Sequence, residues 1–179
     1  NSTADEYSPL SGKELVEKKV KKFVVMGGKF PAGKEEWNFN GNMPNVTKDV
    51  FDKLRAPVVF LGYEIGFPIK TGKVFNTIDT NIPLYTGFMH FSQNAPWMKN
   101  NFNGEILDNA SYDQTAVLFA VREGLGIFWN EVIGGYLEID KNGDNRWIQS
   151  ERGNQSYLVL KESPKEIATL IEKLMLGDF

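Results

Sequence analysis

Phe23-Val24-Val25-Met26-Gly27-Gly28 and Pro57-Val58-Val59-Phe60-Leu61-Gly62 are the two stretches that decide the fold. Each is a short apolar run, rich in β-branched and aromatic residues, that stops at glycine. Such runs read as strands buried on both faces. Ahead of the first, Ser11-Gly12-Lys13-Glu14 has a glutamate three residues after a serine, the spacing of a capping box. Leu15, Val16 and Val20 follow at helical intervals, and Lys18, Lys19, Lys21 and Lys22 stand near the end where cations suit the helix dipole. Between the two runs, residues 29–44 are dense in Gly, Pro and Asn and read as a loop. It is long for a mere connection, and long ordered loops in compact domains are often functional. Asn45 is placed to cap a helix through about Leu54, with Val46, Val50, Phe51 and Leu54 on one face.

The order helix, strand, loop, helix, strand predicts an α/β fold with a mostly parallel sheet and crossover helices. In such sheets ligands bind beyond the carboxyl ends of the strands. Both strands end in glycine-bearing loops: Gly27-Gly28 onward, and Gly62-Tyr63-Glu64-Ile65-Gly66 onward. Further along, residues 82–91 read as a helix and 95–110 as a loop. Residues 112–123 read as a mostly buried helix through Ala116, Val117, Phe119, Ala120 and Val121. Residues 129–140 and 146–160 read as two strands of a C-terminal β-hairpin turning at 141–145. Ser163-Pro164 opens a closing amphipathic helix with Ile167, Leu170, Ile171 and Leu174 as its apolar stripe. Residues 1–10 read as a flexible lead-in, and 11–179 as a single domain.

Composition narrows the function. At 179 residues, 41% hydrophobic and 24% charged, the chain is an ordinary globular one, which excludes a disordered tail or a coiled coil. No run approaches the length of a membrane span. A net charge of −3 gives no electrostatic footprint for nucleic acid. Cysteine is absent, so no thiol can act as nucleophile, and with one histidine a zinc site of the usual His/Cys kind is close to excluded.

Four residues stand out as candidates for chemistry. Glu36 and Asn38, two apart in a segment read as extended, project to the same side and offer a carboxylate and an amide that could grip vicinal hydroxyls of a sugar. The alternative is a solvated loop around a buried Trp37. Tyr112-Asp113 opens a helix after a loop; the aspartate either caps the helix or holds a hard cation with oxygen ligands. Asp140-x-Asn142-x-Asp144, with Glu151 further on, imitates a calcium loop, but its glycine is misplaced and its flanks alternate like strands, so it reads as a hairpin turn. His90, among Phe88, Met89 and Phe91, reads as a partly buried structural histidine. N-x-S/T sequons occur at Asn1, Asn45, Asn109 and Asn154.

Taken in order, Phe23–Gly28, Glu36-Trp37-Asn38-Phe39, Pro57–Gly66, Ser111–Val117 and the hairpin within 134–147 resemble the C-terminal part of the inosine–uridine preferring nucleoside hydrolase family. The resemblance implies a parallel-sheet α/β fold and hydrolysis of the N-glycosidic bond of ribonucleosides with a calcium ion. Glu36 and Asn38 would then bind ribose hydroxyls, Asp113 would ligate Ca2+, and Tyr112 would stack on the base, with a lean towards purines. The family's opening aspartate-rich motif is absent; this chain has no D-x-D at all. The calcium site is therefore expected to be incomplete and activity of these 179 residues poor. The alternative function is a non-catalytic sugar- or nucleoside-binding or interaction module of the same fold. Expected partners are a small-molecule nucleoside, no nucleic acid and no membrane, with self-association as one way to cover an exposed sheet edge.

Overall fold

The computed structural model describes residues 2–41, 43–122 and 127–177. Its elements in chain order are α1 (Gly12–Lys19), β1 (Phe23–Met26), β2 (Ala32–Gly33), α2 (Trp37–Asn40), α3 (Pro44–Lys53), β3 (Val58–Leu61), α4 (Tyr63–Gly66), β4 (Lys70–Thr71), α5 (Pro83–Asn94), β5 (Asn109–Ala110), α6 (Tyr112–Val121), β6 (Trp129–Ile139), β7 (Asn145–Gln149), β8 (Gln155–Leu160) and α7 (Pro164–Leu176). The fold is mixed α/β. A six-stranded sheet has the order β1-β3-β8-β6-β7-β2, and β4 pairs with β5 apart from it. The parallel part is β1-β3-β8; the pairings β8-β6, β6-β7 and β7-β2 are antiparallel.

β3 is the axis of the molecule. All four of its residues are buried, and successive side chains go to opposite faces. Val59 and Leu61 pack with Leu118 and Phe119 of α6 and Ile167 and Ile171 of α7. Val58 and Phe60 pack with Phe39 of α2, Phe51 of α3 and Leu137 and Ile139 of β6. Each such side chain contributes roughly 1.5–3 kcal/mol on full burial. The run needs apolar residues at every position because helices cover both of its faces.

Several local readings meet the structure directly. The capping box is formed: Glu14 N–H donates to Ser11 Oγ at 3.3 Å, and Ser11 N–H donates to Glu14 Oε2 at 2.7 Å. The hairpin and the closing helix are present, with Pro164 in the first turn of α7. The turn of the hairpin satisfies itself, since Asp140 Oδ1 accepts from the N–H groups of Asn142 and Asp144.

Others are corrected. Asn45 does not cap α3; the helix begins at Pro44 after Met43, because proline at the first position needs no partner for an N–H. Residues 146–160 are two strands, separated by a turn in which Gly153 N–H donates to Ser150 O at 2.9 Å. That turn sends β8 back between β6 and β3. α5 runs on to Asn94, and His90 on it is exposed rather than partly buried, its Nδ1 3.2 Å from Asn94 Nδ2. α6 is buried on one side only: Thr115, Leu118 and Phe119 face inward, while Val117 and Val121 are exposed. Glu123, the expected end of that helix, and the sequon at Asn1 lie outside the described residues. The lead-in, over its described part, has no helix or strand. Among the described residues no helix is long and apolar enough to cross a membrane.

Candidate functional site

The carboxyl ends of β1 and β3 deliver the chain into two turns that touch. Gly27 and Gly28 close over the ring of Phe39: a Cβ on either would come within 2.6 Å of that ring. Gly28 also has φ +75°, which a side chain rarely adopts. The Tyr63 N–H, at the start of α4, donates to Gly28 O at 2.8 Å. Asn145, at the start of β7, clamps the next residue, Lys29, through both its N–H and its carbonyl. Lys29 N–H donates to its Oδ1 at 3.0 Å, and its Nδ2 donates to Lys29 O at 2.7 Å.

Glu36 is the hub of this turn region. It is 5% exposed and is the N-cap of α2. Its Oε2 accepts from the N–H of Gly28 at 2.7 Å and of Phe39 at 3.2 Å. Its Oε1 accepts from Asn38 N–H at 3.2 Å and Asn38 Nδ2 at 3.3 Å. A carboxylate has about four acceptor sites, so Glu36 is saturated by the protein. This corrects the expected extended segment: Glu36 and Asn38 meet because a carboxylate caps a helix turn, not because strand residues alternate. Asn38 Nδ2 also donates to Met26 Sδ at 3.0 Å, which leaves the amide's Oδ1 as its acceptor for anything else. Trp37, between them, is 75% exposed rather than buried; the ring beneath the loop is Phe39.

Tyr112 and Asp113 arrive from α6. Ser111 is the N-cap of that helix, but its hydroxyl is paired with Thr71 Oγ1 at 2.7 Å, and no side chain caps the helix. The capping alternative for Asp113 is thereby corrected: its carboxylate is exposed in the first turn. Negative charge there is favourable to the helix dipole. Tyr112 is fixed by contact with α4, since a Cβ on Gly66 would come 2.6 Å from Tyr112 Cα. Its ring lies 5.5 Å from that of Tyr63. Burial first, then the neighbouring Tyr63 and the charge of Glu36, push the Tyr112 phenol well above its ordinary pKa. The phenol is therefore a neutral hydrogen-bonding group at physiological pH.

Glu36, Asn38, Tyr112 and Asp113 line one cavity of about 700 Å³. Met26, Lys29, Glu35, Trp37, Tyr63 and Trp97 complete it. The walls are aromatic, and the polar groups are few and convergent, as in small-molecule sites. Lys29 Nζ is 5.5 Å from the Tyr63 ring and donates to Lys34 O. Just outside, Glu64 folds back over Gly62 and accepts from Phe30 N–H at 3.2 Å. Burial of its carboxyl raises its pKa, two backbone N–H groups oppose the rise, and the Glu36 charge adds to it.

The fit to calcium can be judged from the donors. Among the described residues no three His, Asp or Glu side chains converge on one point. With Glu36 saturated, the carboxylates of Asp113 and Glu35 and the Asn38 amide oxygen line this cavity, and among the described residues no group of three acidic side chains gathers to supply the six to eight oxygens that calcium takes. These residues do not make a calcium cage by themselves.

Three contributors were not singled out from sequence. Tyr63 stands where a parallel strand ends, so the strand-end rule could have found it. Trp97 and Asn145 carry no local signal, because their roles come from segments distant in the chain. Neither a family model nor a curated protein matches this sequence.

Proposed function

We propose that the cavity binds a ribonucleoside, and that the chain is a unit related to the nucleoside hydrolases that cleave its N-glycosidic bond. The observation that carries this reading is the convergence of Glu36, Asn38, Tyr112 and Asp113, named from separate parts of the sequence, on one aromatic-walled cavity at the ends of parallel strands. In this reading Tyr112, backed by Tyr63, stacks on the base. The Asn38 Oδ1 and the Asp113 carboxylate accept from ribose hydroxyls. Glu36 acts through Asn38: it fixes the amide and touches no ligand. Asp113 is the residue of this chain that would face a calcium ion whose further ligands came from outside these residues. Stacking that strengthens as the sugar becomes oxocarbenium-like and the base takes up charge would count as catalysis.

The second reading, a binding module without chemistry, is favoured by one specific observation. Glu36, the buried carboxylate of the cavity, has its acceptor sites filled, so it is not available as a base to activate water.

One experiment separates them. Inosine is titrated into the protein with and without calcium, following tryptophan fluorescence from Trp37 and Trp97 and the appearance of free base. Binding with calcium-dependent release of base supports the hydrolase reading, and Asp113→Ala or Asn38→Ala should then abolish release. Binding without release supports the module. Absence of any binding would sink both.

A further inference from the structure

Beyond the wall made by Tyr63, Tyr112 and Trp97 the groove continues into a second chamber of about 690 Å³. Phe67, 48% exposed, and Phe91, 37% exposed, line it together with Trp97. Phe67 stacks on Tyr63 with ring centroids 5.1 Å apart, and Phe91 meets the edge of Trp97 at 5.7 Å. The aromatic surface of the first cavity therefore runs on into the second. Single exposed apolar side chains need no explanation, but contiguous rings bordering a cavity mark a binding surface.

The chamber is lined by Lys70, Asp108 and Asp113, and Lys73, outside the lining, offsets the charge of Asp108. Lys73 Nζ lies 4.0 Å from Asp108, and the ammonium of Lys70, held 4.2 Å over the Phe67 ring, faces the same space as Asp113. A phosphate or an ammonium would find no excess of opposite sign. Asn109 and Gln114 add amides to the lining. A purely hydrocarbon ligand would strip water from these groups without replacing its hydrogen bonds. A sugar ring satisfies both demands, with a C–H face for the aromatic rings and hydroxyls for the amides. A single cavity of about 700 Å³ already lies within the roughly 300–1,000 Å³ of a small-molecule site. Two that share a wall call for a longer ligand.

The geometry points to a second subsite, for an uncharged sugar ring, that makes the preferred ligand a ribonucleoside carrying a further sugar. This rests on the nucleoside reading of the first cavity and narrows its substrate class.

The test is calorimetric titration with two probes, inosine and inosine bearing glucose on its 5′ oxygen. The wild-type protein should bind the glucosylated probe at least tenfold more tightly. Phe67→Ala and, as a second variant, Phe91→Ala should each bring the ratio of the two affinities towards one, with circular dichroism showing that both variants are folded. If inosine binds and the glucosylated probe binds no better, the subsite is wrong and the nucleoside reading stands. A preference that neither variant reduces would also overturn it, because the second ring would lodge elsewhere. If neither probe binds, the nucleoside reading falls and the subsite falls with it.

Discussion

The two sides of the cavity hold their carboxylates in opposite ways. On the loop side Glu36 is buried and accepts four hydrogen bonds from the protein. On the helix side Asp113 is exposed in the first turn of α6, where no side chain caps the helix. The same functional group is a structural rivet in one place and a free acceptor in the other. A candidate site residue is therefore judged by its unspent hydrogen-bonding capacity as well as by its position.

Glu36→Ala tests the rivet most severely. It leaves the buried N–H of Gly28 and the part-buried N–H of Asn38 without the carboxylate, while the Phe39 N–H keeps the Glu36 backbone carbonyl, at a cost of about 3 kcal/mol. Thermal unfolding should fall by roughly 10 °C for a chain of this size. Gly28→Ala attacks the same turn from its other end. Its φ of +75° and the contact with Phe39 should cost about 2 kcal/mol, read by urea unfolding.

Asp113→Asn is the opposing case. Stability should stay within about 0.5 kcal/mol, as for surface changes, while inosine affinity falls about tenfold, or about 1.4 kcal/mol. A loss of stability as large as that of Glu36→Ala would break the contrast.

Tyr112→Phe sharpens it through pH. The folded-state pKa of Tyr112 lies above its unfolded value, so the group's contribution is complete below about pH 10 and is lost as pH rises from there towards the folded value. The variant should lose less stability than wild type in denaturant titrations above pH 10. Glu64→Gln carries the smallest effect. Its folded pKa is also raised, so its stabilisation is present below the unfolded pKa and lost as pH rises through the folded one. The carboxyl is partly desolvated although the residue as a whole is exposed, so the variant should gain only roughly a degree in melting temperature at pH 7, and nothing below pH 4.

Residues whose behaviour depends on near neighbours in the chain were legible beforehand. The strands β1 and β3, the Ser11–Glu14 capping box, the turn at Asp140 and the stripe of α7 follow from contacts a few residues apart, although β1, read as buried, is half-buried at the edge of the sheet while β3 is fully buried. The candidate residues Glu36, Asn38, Tyr112 and Asp113 were also legible, as polar or aromatic side chains beside strand ends and a helix start. The hydrogen-bond partners of Glu36 were not. Gly28 and Phe39, which donate to its carboxylate, are brought to it by the fold of the turn. Trp37 read as buried because nothing local says that Phe39 takes the space beneath the loop.

The sequence by itself determined the main strands and helices, because periodicity, glycine stops and caps act over a few residues, but not the division of 146–160 into β7 and β8 or the helix turn that Glu36 caps. The tertiary structure alone decided that β8 returns between β3 and β6, that Asn145 clamps Lys29 from 116 residues away, and that Tyr63 and Trp97 join Tyr112 in one wall. Those outcomes depend on which distant side chains compete successfully for the same hydrogen bonds and the same buried volume, and that competition is settled only when the chain is packed.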